Sequence, residues 1–139
     1  MAKTVSEKMG LTPGLRAIYL NAPTEAIQAI EAPTMELEDG LSGDFDYIHF
    51  FVRSQAEFRQ TFSTLKSHLK PTGTLWVSWP KAKREGTDLT LIIVIKLGYA
   101  YGLVESTCLS VNPIWSALKF THPKPGKTYH NKYGTLKSS

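Results

Sequence analysis

The stretch DYIHFFV, Asp46–Val52, decides the fold class of this chain. It is an almost continuous apolar and aromatic run of strand length, with Gly43 before it and Ser54 after it. Such a run predicts an interior strand, because a strand that is apolar on both sides needs cover on both faces of its sheet. The neighbouring sequence therefore has to supply helices.

A helix is indicated directly after this strand. Ser54 and Glu57 have the spacing of a capping box. Apolar side chains then repeat on one helical face, at Phe58, Phe62, Leu65 and Leu69. Pro71 and Gly73 end the helix, and the run TLWVSW over Thr74–Trp79 predicts the next strand.

The same alternation extends upstream. The predicted elements are a short helix capped by Thr4, a strand over Arg16–Leu20, a helix over Thr24–Ala32 capped by Thr24, and a short strand over Thr34–Glu38. Only seven residues then separate Glu38 from Asp46. A helical crossover between parallel strands needs about a dozen residues or more, so no further strand and helix fit in this interval.

Downstream, the segment DLTLIIVIKLGYAYGL combines the composition of a strand with the length of a helix. Its 16 residues favour a buried helix, with Thr87 or Asp88 as N-cap and Gly102 at its end. Two strands joined by a short turn follow, over Glu105–Val111 and Ser116–Phe120. The chain as a whole predicts an α/β fold, a mostly parallel sheet with helices on both faces and a C-terminal antiparallel hairpin.

The net charge of +4 lies entirely in the last residues. Residues 1–120 carry equal numbers of acidic and basic side chains, whereas residues 121–139 carry four lysines and no acid. We expect one α/β domain over 1–120 and a basic, disordered tail over 121–139, because the tail shows no periodicity. Residues 17–52 hold seven acids without Lys or Arg, so nucleic acid is an unfavoured partner except through the tail.

Several classes of protein are disfavoured by the sequence. The longest apolar run, Leu91–Ile95, is too short to cross a bilayer, and the first ten residues lack the apolar core of a secretory signal. The single cysteine, Cys108, cannot form an intramolecular disulfide, so a cytoplasmic protein is expected. The sequence contains no Cys/His metal cluster, complete GxxxxGK[ST] loop or GxSxG elbow, and we assign no catalytic residue and no role to His49.

The segments GDFDYIHFFV and LKPTGTLWVSWP, with the helix between them, resemble the middle of class I S-adenosylmethionine-dependent methyltransferases. This resemblance covers residues 15–120 and implies a Rossmann-like fold, here in reduced form. The segments LNAP, LWVSWPK, TDLT and WSALKF more closely resemble a bacterial family known only as a domain of unknown function, which shares that architecture. Neither resemblance implies a particular substrate.

Two features depart from the methyltransferase pattern. In that family the loop after the first strand is glycine-rich so that backbone approaches the cofactor, whereas this chain has Asn21-Ala22-Pro23. The family's ribose-binding carboxylate ends the second strand, where Glu38 or Asp39 stands, but the short connection that follows leaves no room for the adenosine wall. We expect a degenerate, non-catalytic domain without cofactor; the alternative is an S-adenosylmethionine-dependent methyltransferase with a reduced cofactor site.

Ligands of open α/β sheets bind outside the carboxyl ends of the strands. This rule selects seven candidate residues: Asn21, Arg53, Ser54, Trp79, Lys81, Asn112 and Trp115. The cations, together with Lys83 and Arg84, favour a small anionic ligand, and the tryptophans offer flat apolar surface for a ring. Three alternatives stay open. The edge could bind a protein partner instead of a small ligand, the PKAKRE segment could be a solvated loop, and the tryptophans could close the end of the core.

Overall fold

The computed structural model describes residues 3–131 and 134–137, which form four helices, a short 3₁₀ segment and eight strands. The helices are α1 (Val5–Met9), α2 (Thr24–Ile30), α3 (Gln55–Ser67) and α4 (Leu91–Ala100). The strands are β1 (Arg16–Leu20), β2 (Glu36–Leu37), β3 (Phe45–Phe51), β4 (Leu69–Pro80), β5 (Val104–Ser110), β6 (Trp115–Thr121), β7 (Thr128–Asn131) and β8 (Gly134–Lys137). The 3₁₀ segment, Lys81–Gly86, directly follows β4.

Six strands form one mixed sheet in the order β2-β1-β3-β4-β6-β5. The first four strands in this order are parallel, and β6 and β5 extend the sheet in antiparallel fashion. Tyr19 pairs with His49 and His49 with Trp76, so β3 is an interior strand. The predicted fold class, a mostly parallel sheet with a C-terminal antiparallel hairpin, is confirmed.

Helices cover both faces of this sheet. On one face, Ile48 and Phe50 of β3 pack with residues of α3 and α4 in what we call the α3/α4 core. On the other face, Tyr47 and Phe51 pack with Met9 of α1 and with residues of α2 in the α1/α2 core. The near-continuous apolar run of β3 follows from this double cover, because each alternate side chain enters a different core.

The sequence predicts α3 accurately at its start. The Ser54 hydroxyl accepts a hydrogen bond from the Glu57 N–H at 3.1 Å, as expected of an N-cap. The Glu57 carboxylate accepts from the N–H of Arg53 rather than from that of Ser54, so the reciprocal half of the capping box is shifted by one residue. The predicted apolar face of the helix is buried at Phe58, Phe62 and Leu65.

The junction between α3 and β4 differs from the prediction. The helix ends at Ser67, and Leu69 already pairs with Phe45 as the first residue of β4. The strand therefore starts five residues before the predicted Thr74, with a register shift opposite Phe45 and Tyr47. Pairing with β3 sets the start of β4. Pro71 is tolerated inside the strand because regular backbone hydrogen bonding between the two strands is interrupted at the register shift.

Two predicted helix caps are wrong. In α2 the N-cap is Pro23 and Thr24 is the first helical residue, and the helix stops before Glu31, which has a left-handed φ of 53°. In α4 the cap is Thr90, whose hydroxyl accepts from the N–H of Ile93 at 3.3 Å. Before α4 several hydroxyl or carboxylate side chains offer equivalent caps in the sequence and packing selects among them, whereas α2 begins at Thr24 without a side-chain cap.

Thr87 and Asp88 fasten the loop before α4 to the start of α3. The Thr87 hydroxyl donates to the carbonyl of Arg53 at 2.6 Å. The Asp88 carboxylate accepts from the N–H of Gln55, the first residue of α3, at 2.8 Å. A negative charge at this position satisfies one of the unpaired amide groups at the N-terminus of the helix.

The short link between β2 and β3 fits because β2 is only two residues long. Leu37 pairs with Ala17 near the start of β1, so the seven residues of the link return only a short distance. Arg16 fastens this link: its Nη1 donates to the carbonyl of Asp44 at 2.9 Å and its Nε lies 3.6 Å from a Glu38 oxygen. The Arg16 guanidinium also lies 4.2 Å from the centroid of the Phe45 ring.

The last part of the chain contains regular structure where its composition predicts disorder. β6 continues to Thr121, and β7 pairs with β8 as an antiparallel hairpin. The Tyr129 hydroxyl accepts from the N–H of Lys124 at 2.9 Å, and the Lys127 ammonium lies 4.7 Å from the centroid of the Tyr129 ring. Charge and proline content do not reveal contacts of this kind, so the sequence does not predict them. Lys132, one of the four tail lysines, lies outside the described residues.

Candidate functional site

The carboxyl edge of the sheet is where β1, β3 and β4 end and where β6 begins. Pro80, the last residue of β4, pairs with Trp115, the first residue of antiparallel β6. The seven candidate residues lie at or just beyond these strand ends, at Asn21, Arg53, Ser54, Trp79, Lys81, Asn112 and Trp115. Chain topology thus brings them to one edge, although their side chains do not form one cluster.

Arg53 and Trp115 are in direct contact. The Arg53 guanidinium lies 4.9 Å from the centroid of the Trp115 ring, a cation–π arrangement. Its Nε also donates to the Glu85 carboxylate at 2.8 Å, forming an ion pair whose two side chains are partly exposed. The positive charge of Arg53 therefore already has a carboxylate partner.

The two tryptophans lie on opposite faces of the sheet. Trp79 belongs to the α3/α4 core and Trp115 to the α1/α2 core, where Trp115 packs edge-on against Phe51 at 5.2 Å between centroids. Both tryptophans are buried. They close the ends of two separate cores, and the expectation that both present flat surface to one ring is wrong.

Two of the polar candidates serve the local fold. Asn112 Oδ1 accepts from the N–H groups of Ile114 and Trp115 at 2.9 and 2.8 Å, which fixes the turn between β5 and β6. Ser54 caps α3, as described above. Their side-chain oxygens are thus engaged by backbone donors, so neither residue needs a ligand to explain its position.

The loop after β1 has a glycine-like backbone without a glycine. Asn21 is exposed and has a φ of 57°, in the left-handed region where asparagine is tolerated better than most residues. Ala22 packs against the α1/α2 core, and the carbonyl of Pro23 accepts the first N–H groups of α2. The turn has the conformation of a tight strand-to-helix loop, but with side chains where a cofactor would need close backbone approach.

The residues present do not fit S-adenosylmethionine bound as in the methyltransferase fold. Glu38, a candidate ribose ligand, donates its N–H to the carbonyl of Ala17 and so lies near the start of β1, short of the carboxyl edge. Its carboxylate is 3.6 Å from the Arg16 guanidinium, at the other end of that strand. The adjacent Asp39 is exposed, and the glycine cradle is missing.

A cavity of about 390 Å³ lies beside the end of β4, on the α3/α4 side of the sheet. Its lining includes the candidates Trp79 and Lys81, together with Lys83, Leu89, Leu91 and Cys108. Lys81 Nζ donates to the Ser110 hydroxyl, and its backbone N–H donates to the carbonyl of Ile114. The cavity thus combines apolar walls with two ammonium groups.

Cys108 is a member of this cavity that sequence reasoning missed. Cys108 is exposed, as are Ser106, Thr107 and Ser110 along the same strand. These small polar neighbours are the signal in the sequence for a solvent-facing strand. Partial burial raises the pKa of the Cys108 thiol, an effect that nearby Lys81 partly offsets, so the thiol is protonated at neutral pH.

The loop that borders the cavity has an unusual backbone. Three of its non-glycine residues have a left-handed φ, 51° at Ala82, 58° at Lys83 and 56° at Glu85. Conformations of this kind cost on the order of 1 kcal/mol each and concentrate at ligand clamps and switch segments. The strained loop connects Lys81 to Glu85, so it joins the cavity to the ion pair of Arg53.

A buried polar cluster lies just below the same edge, on the α1/α2 side. Tyr47 Oη is 2.6 Å from His49 Nδ1, and His49 Nε2 is 2.7 Å from Ser78 Oγ. All three side chains are fully buried, and desolvation lowers the pKa of His49 to about 3. His49 is therefore neutral, and Ser78 is not accessible to a ligand at the edge.

Metal-binding clusters and membrane-spanning helices are both absent from residues 3–131 and 134–137. These residues contain no group of three or more His, Cys, Asp or Glu side chains placed to hold a metal ion. No helix in the same ranges has the length and apolar character required to span a bilayer.

Several solved structures with a similar fold are methyltransferases. One is 1,6-didemethyltoxoflavin-N1-methyltransferase of Burkholderia thailandensis, with bound 1,6-didemethyltoxoflavin and S-adenosylhomocysteine; the TM-score is 0.60 at 9% identity, over 86% of this chain and 75% of that one. Another is precorrin-6y C5,15-methyltransferase of Geobacter metallireducens, with a TM-score of 0.59 at 10% identity over 86% of each chain. The glycopeptide N-methyltransferase MtfA with sinefungin gives 0.58 at 11% identity, over 88% of this chain and 95% of that one.

These similarities concern architecture. At identities near 10% they establish a methyltransferase-like, Rossmann-type fold for this chain and nothing finer. No protein-family model matches the sequence, and a search of curated proteins found no similar one. The closer resemblance to a bacterial family of unknown function stays a prediction.

Proposed function

We propose that this chain is a methyltransferase-like domain that binds a small anionic ligand in the cavity beside Trp79 and Lys81, and that it does so without catalysis. The observation that carries the proposal is the cavity itself, which joins two of the predicted site residues to a second lysine, Lys83. Its volume of about 390 Å³ lies within the range of small-molecule sites.

The charges around the cavity favour an anion. Lys81 bonds to a neutral hydroxyl, and among the described residues the ion pairs are formed by Arg16, Arg53 and Lys70, so neither cavity lysine is neutralised in this way. No carboxylate belongs to the lining. Leu89, Leu91 and Trp79 supply apolar walls, which favours a carboxylate or phosphate that carries a small apolar group.

The chain contains its own reporter for this site. Cys108 is the single cysteine and lines the cavity, so alkylation by iodoacetamide at alkaline pH measures access to it. We expect one or more compounds from a panel of small carboxylates and phosphates to slow alkylation in a saturable way. Lys81→Ala is expected to weaken this protection roughly 10- to 100-fold, the effect of losing one charged hydrogen bond of about 1.5–3 kcal/mol.

A matched variant controls for general effects of charge. Lys8→Ala removes an exposed lysine from α1, on the opposite face of the sheet, and is expected to leave protection unchanged. Equal protection constants for the Lys81 and Lys8 variants would contradict the proposed site, as would an alkylation rate that no anion alters.

A second candidate is an active S-adenosylmethionine-dependent methyltransferase with a reduced cofactor site. The fold favours it, and so do the structurally similar methyltransferases that were solved with bound S-adenosylhomocysteine or sinefungin. Against it stand the side chains at Asn21 and Ala22 and the Arg16–Glu38 ion pair near the start of β1.

Thermal denaturation distinguishes the two candidates. A ligand at 100 times its dissociation constant adds about 2.7 kcal/mol to the free energy of unfolding, a rise of roughly 8 °C for a domain of this size. We expect no rise with millimolar S-adenosylmethionine or S-adenosylhomocysteine, because the cradle is incomplete. A saturable rise with both compounds would favour the methyltransferase.

The remaining proposals concern domain organisation and partners. We propose that residues 1–120 form one cytoplasmic domain and that the basic segment after residue 120, whose His122 hydrogen-bonds to the Leu69 carbonyl of that domain, is the part suited to nucleic acid. Lys124 and Lys127 are exposed, which supports nucleic-acid contact only through this segment. A protein partner at the carboxyl edge is the alternative to a small ligand, and the absence of saturable protection by any small anion would favour it.

A further inference from the structure

The opposite edge of the sheet holds a larger cavity, of about 660 Å³. It lies between the last turns of α3, the start of β4 and the residues that follow β6. Because β4 starts and antiparallel β6 ends at this edge, the cavity is separated from the one beside Trp79 by the length of the strands. We call it the amino-edge cavity; nothing in the proposed function uses it.

The walls of the amino-edge cavity are apolar and stiff. They include Leu69 and three prolines, Pro71, Pro123 and Pro125. Proline rings have a fixed φ and lose little conformational freedom when a ligand packs against them. Such a preformed apolar surface favours a ligand with an extended hydrocarbon or aromatic body.

The polar groups of this cavity are mostly hydrogen-bond donors. Lys66 Nζ donates to the carbonyl of Tyr101 at 2.8 Å, which holds the ammonium in place and leaves two of its hydrogens for another acceptor. His122 Nε2 lies 3.0 Å from the carbonyl of Leu69, so Nε2 carries the proton. Lys124 adds a second ammonium group, and no carboxylate belongs to the lining.

The C-terminus of α3 opposes an anion, since its last carbonyls carry partial negative charge. The structure neutralises much of this charge locally. The Ser67 hydroxyl donates to the carbonyl of Thr64 at 2.7 Å, and the N–H of His68 donates to the carbonyls of Leu65 and Lys66. The two lysine ammonium groups therefore make the electrostatic potential in the cavity positive.

From apolar walls and paired ammonium groups we infer that the amino-edge cavity binds an apolar carboxylate, a molecule with a hydrocarbon or aromatic body and one acidic head group. The body would pack between Leu69 and the prolines, and the head would accept from Lys66 and Lys124. The assignment is independent of the function proposed for the carboxyl edge.

Titration of the ¹⁵N-labelled full chain with decanoate tests the inference. We expect saturable shifts of the amide signals of Ser63, Ser67 and His122, with no change in the alkylation rate of Cys108. Decylamine, which has the same chain and the opposite charge, and inorganic phosphate, which has no apolar body, are expected to bind at least 10-fold more weakly. Shifts confined to the carboxyl edge, or equal binding of decylamine, would overturn the inference.

Two charge-removing variants complete the test. Lys124→Met is expected to weaken decanoate binding about 5- to 10-fold, as loss of one ammonium partner in a partly exposed site implies. Lys96→Met removes an exposed charge from α4, outside the lining, and should leave decanoate affinity within twofold of the wild type. Equal affinities for these two variants would overturn the role of Lys124, and with it the proposed head-group contact.

Discussion

Replacing Gly98 with alanine is expected to destabilise the fold by about 3 kcal/mol, although alanine is normally the better helix residue by about 1 kcal/mol. Gly98 is buried inside α4, and a Cβ added to it would overlap Cε1 and Cζ of the Phe120 ring and lie 2.9 Å from its Cδ1. Phe120 cannot turn away at low cost, because it is fully buried and packs edge-on against Phe62 at 5.6 Å. The overlap therefore outweighs the gain in helix propensity.

Urea denaturation measures this effect directly. Gly40→Ala is the matched control, since an added Cβ at Gly40 would meet no heavy atom within 4 Å and its φ is not positive. The stability of this control is expected to stay within about 0.5 kcal/mol of the wild type. Adding Phe120→Leu to Gly98→Ala should recover part of the loss if the ring is the obstacle. Wild-type stability of the Gly98 variant would show that α4 does not lie this close to β6.

Lowering the pH is expected to destabilise the fold strongly through His49. Burial lowers the pKa of His49 to about 3, from an ordinary value near 6.5. As pH falls below 6.5 the unfolded chain takes up a proton on this residue while the folded chain does not. The free energy of unfolding should therefore fall by about 1.4 kcal/mol per pH unit from this residue alone, until the pH approaches 3.

The variant His49→Gln removes this titration and keeps an amide between Tyr47 and Ser78. We expect it to be less stable than the wild type at pH 7 but to lose less stability between pH 6 and pH 4, so that the difference between the two chains shrinks. Ser78→Ala serves as the control: it removes the 2.7 Å contact to His49 Nε2 yet leaves the imidazole to titrate, so it should keep the wild-type slope. A steep slope in the Gln variant would contradict the role of His49.

Much of the fold is predictable because strong local signals agree with tertiary packing. The apolar run of β3 and the Ser54 cap of α3 are examples, since burial on two faces and an N-cap each leave a clear pattern in sequence. The start of β4 was not predictable, because it depends on pairing between Leu69 and Phe45, which are far apart in sequence. The N-cap of α4 was not predictable either, because neighbouring Thr and Asp residues offer equivalent caps and packing selects Thr90.

The candidate site is predictable only at the level of topology. Strand ends in a parallel sheet share an edge, so the seven residues could be grouped without any contact being known. Their contacts depend on register: Trp79 pairs with Ser116, which puts the adjacent Trp115 on the other face of the sheet. The Arg53–Glu85 ion pair depends on a loop with a left-handed φ at three non-glycine residues, which no local pattern indicates.

The shortness of β2 has a consequence for association between copies of this chain. β2 pairs with Arg16 and Ala17 alone, so over Ile18–Leu20 the described part of the sheet ends at β1 and presents a strand edge. Exposed strand edges recruit further strands unless charge or geometry prevents it. Residues 17–52, which include this edge, hold seven acids and no Lys or Arg, so two copies that met edge to edge would repel each other. Negative charge thus opposes edge-to-edge pairing where the sheet lacks a full outer strand.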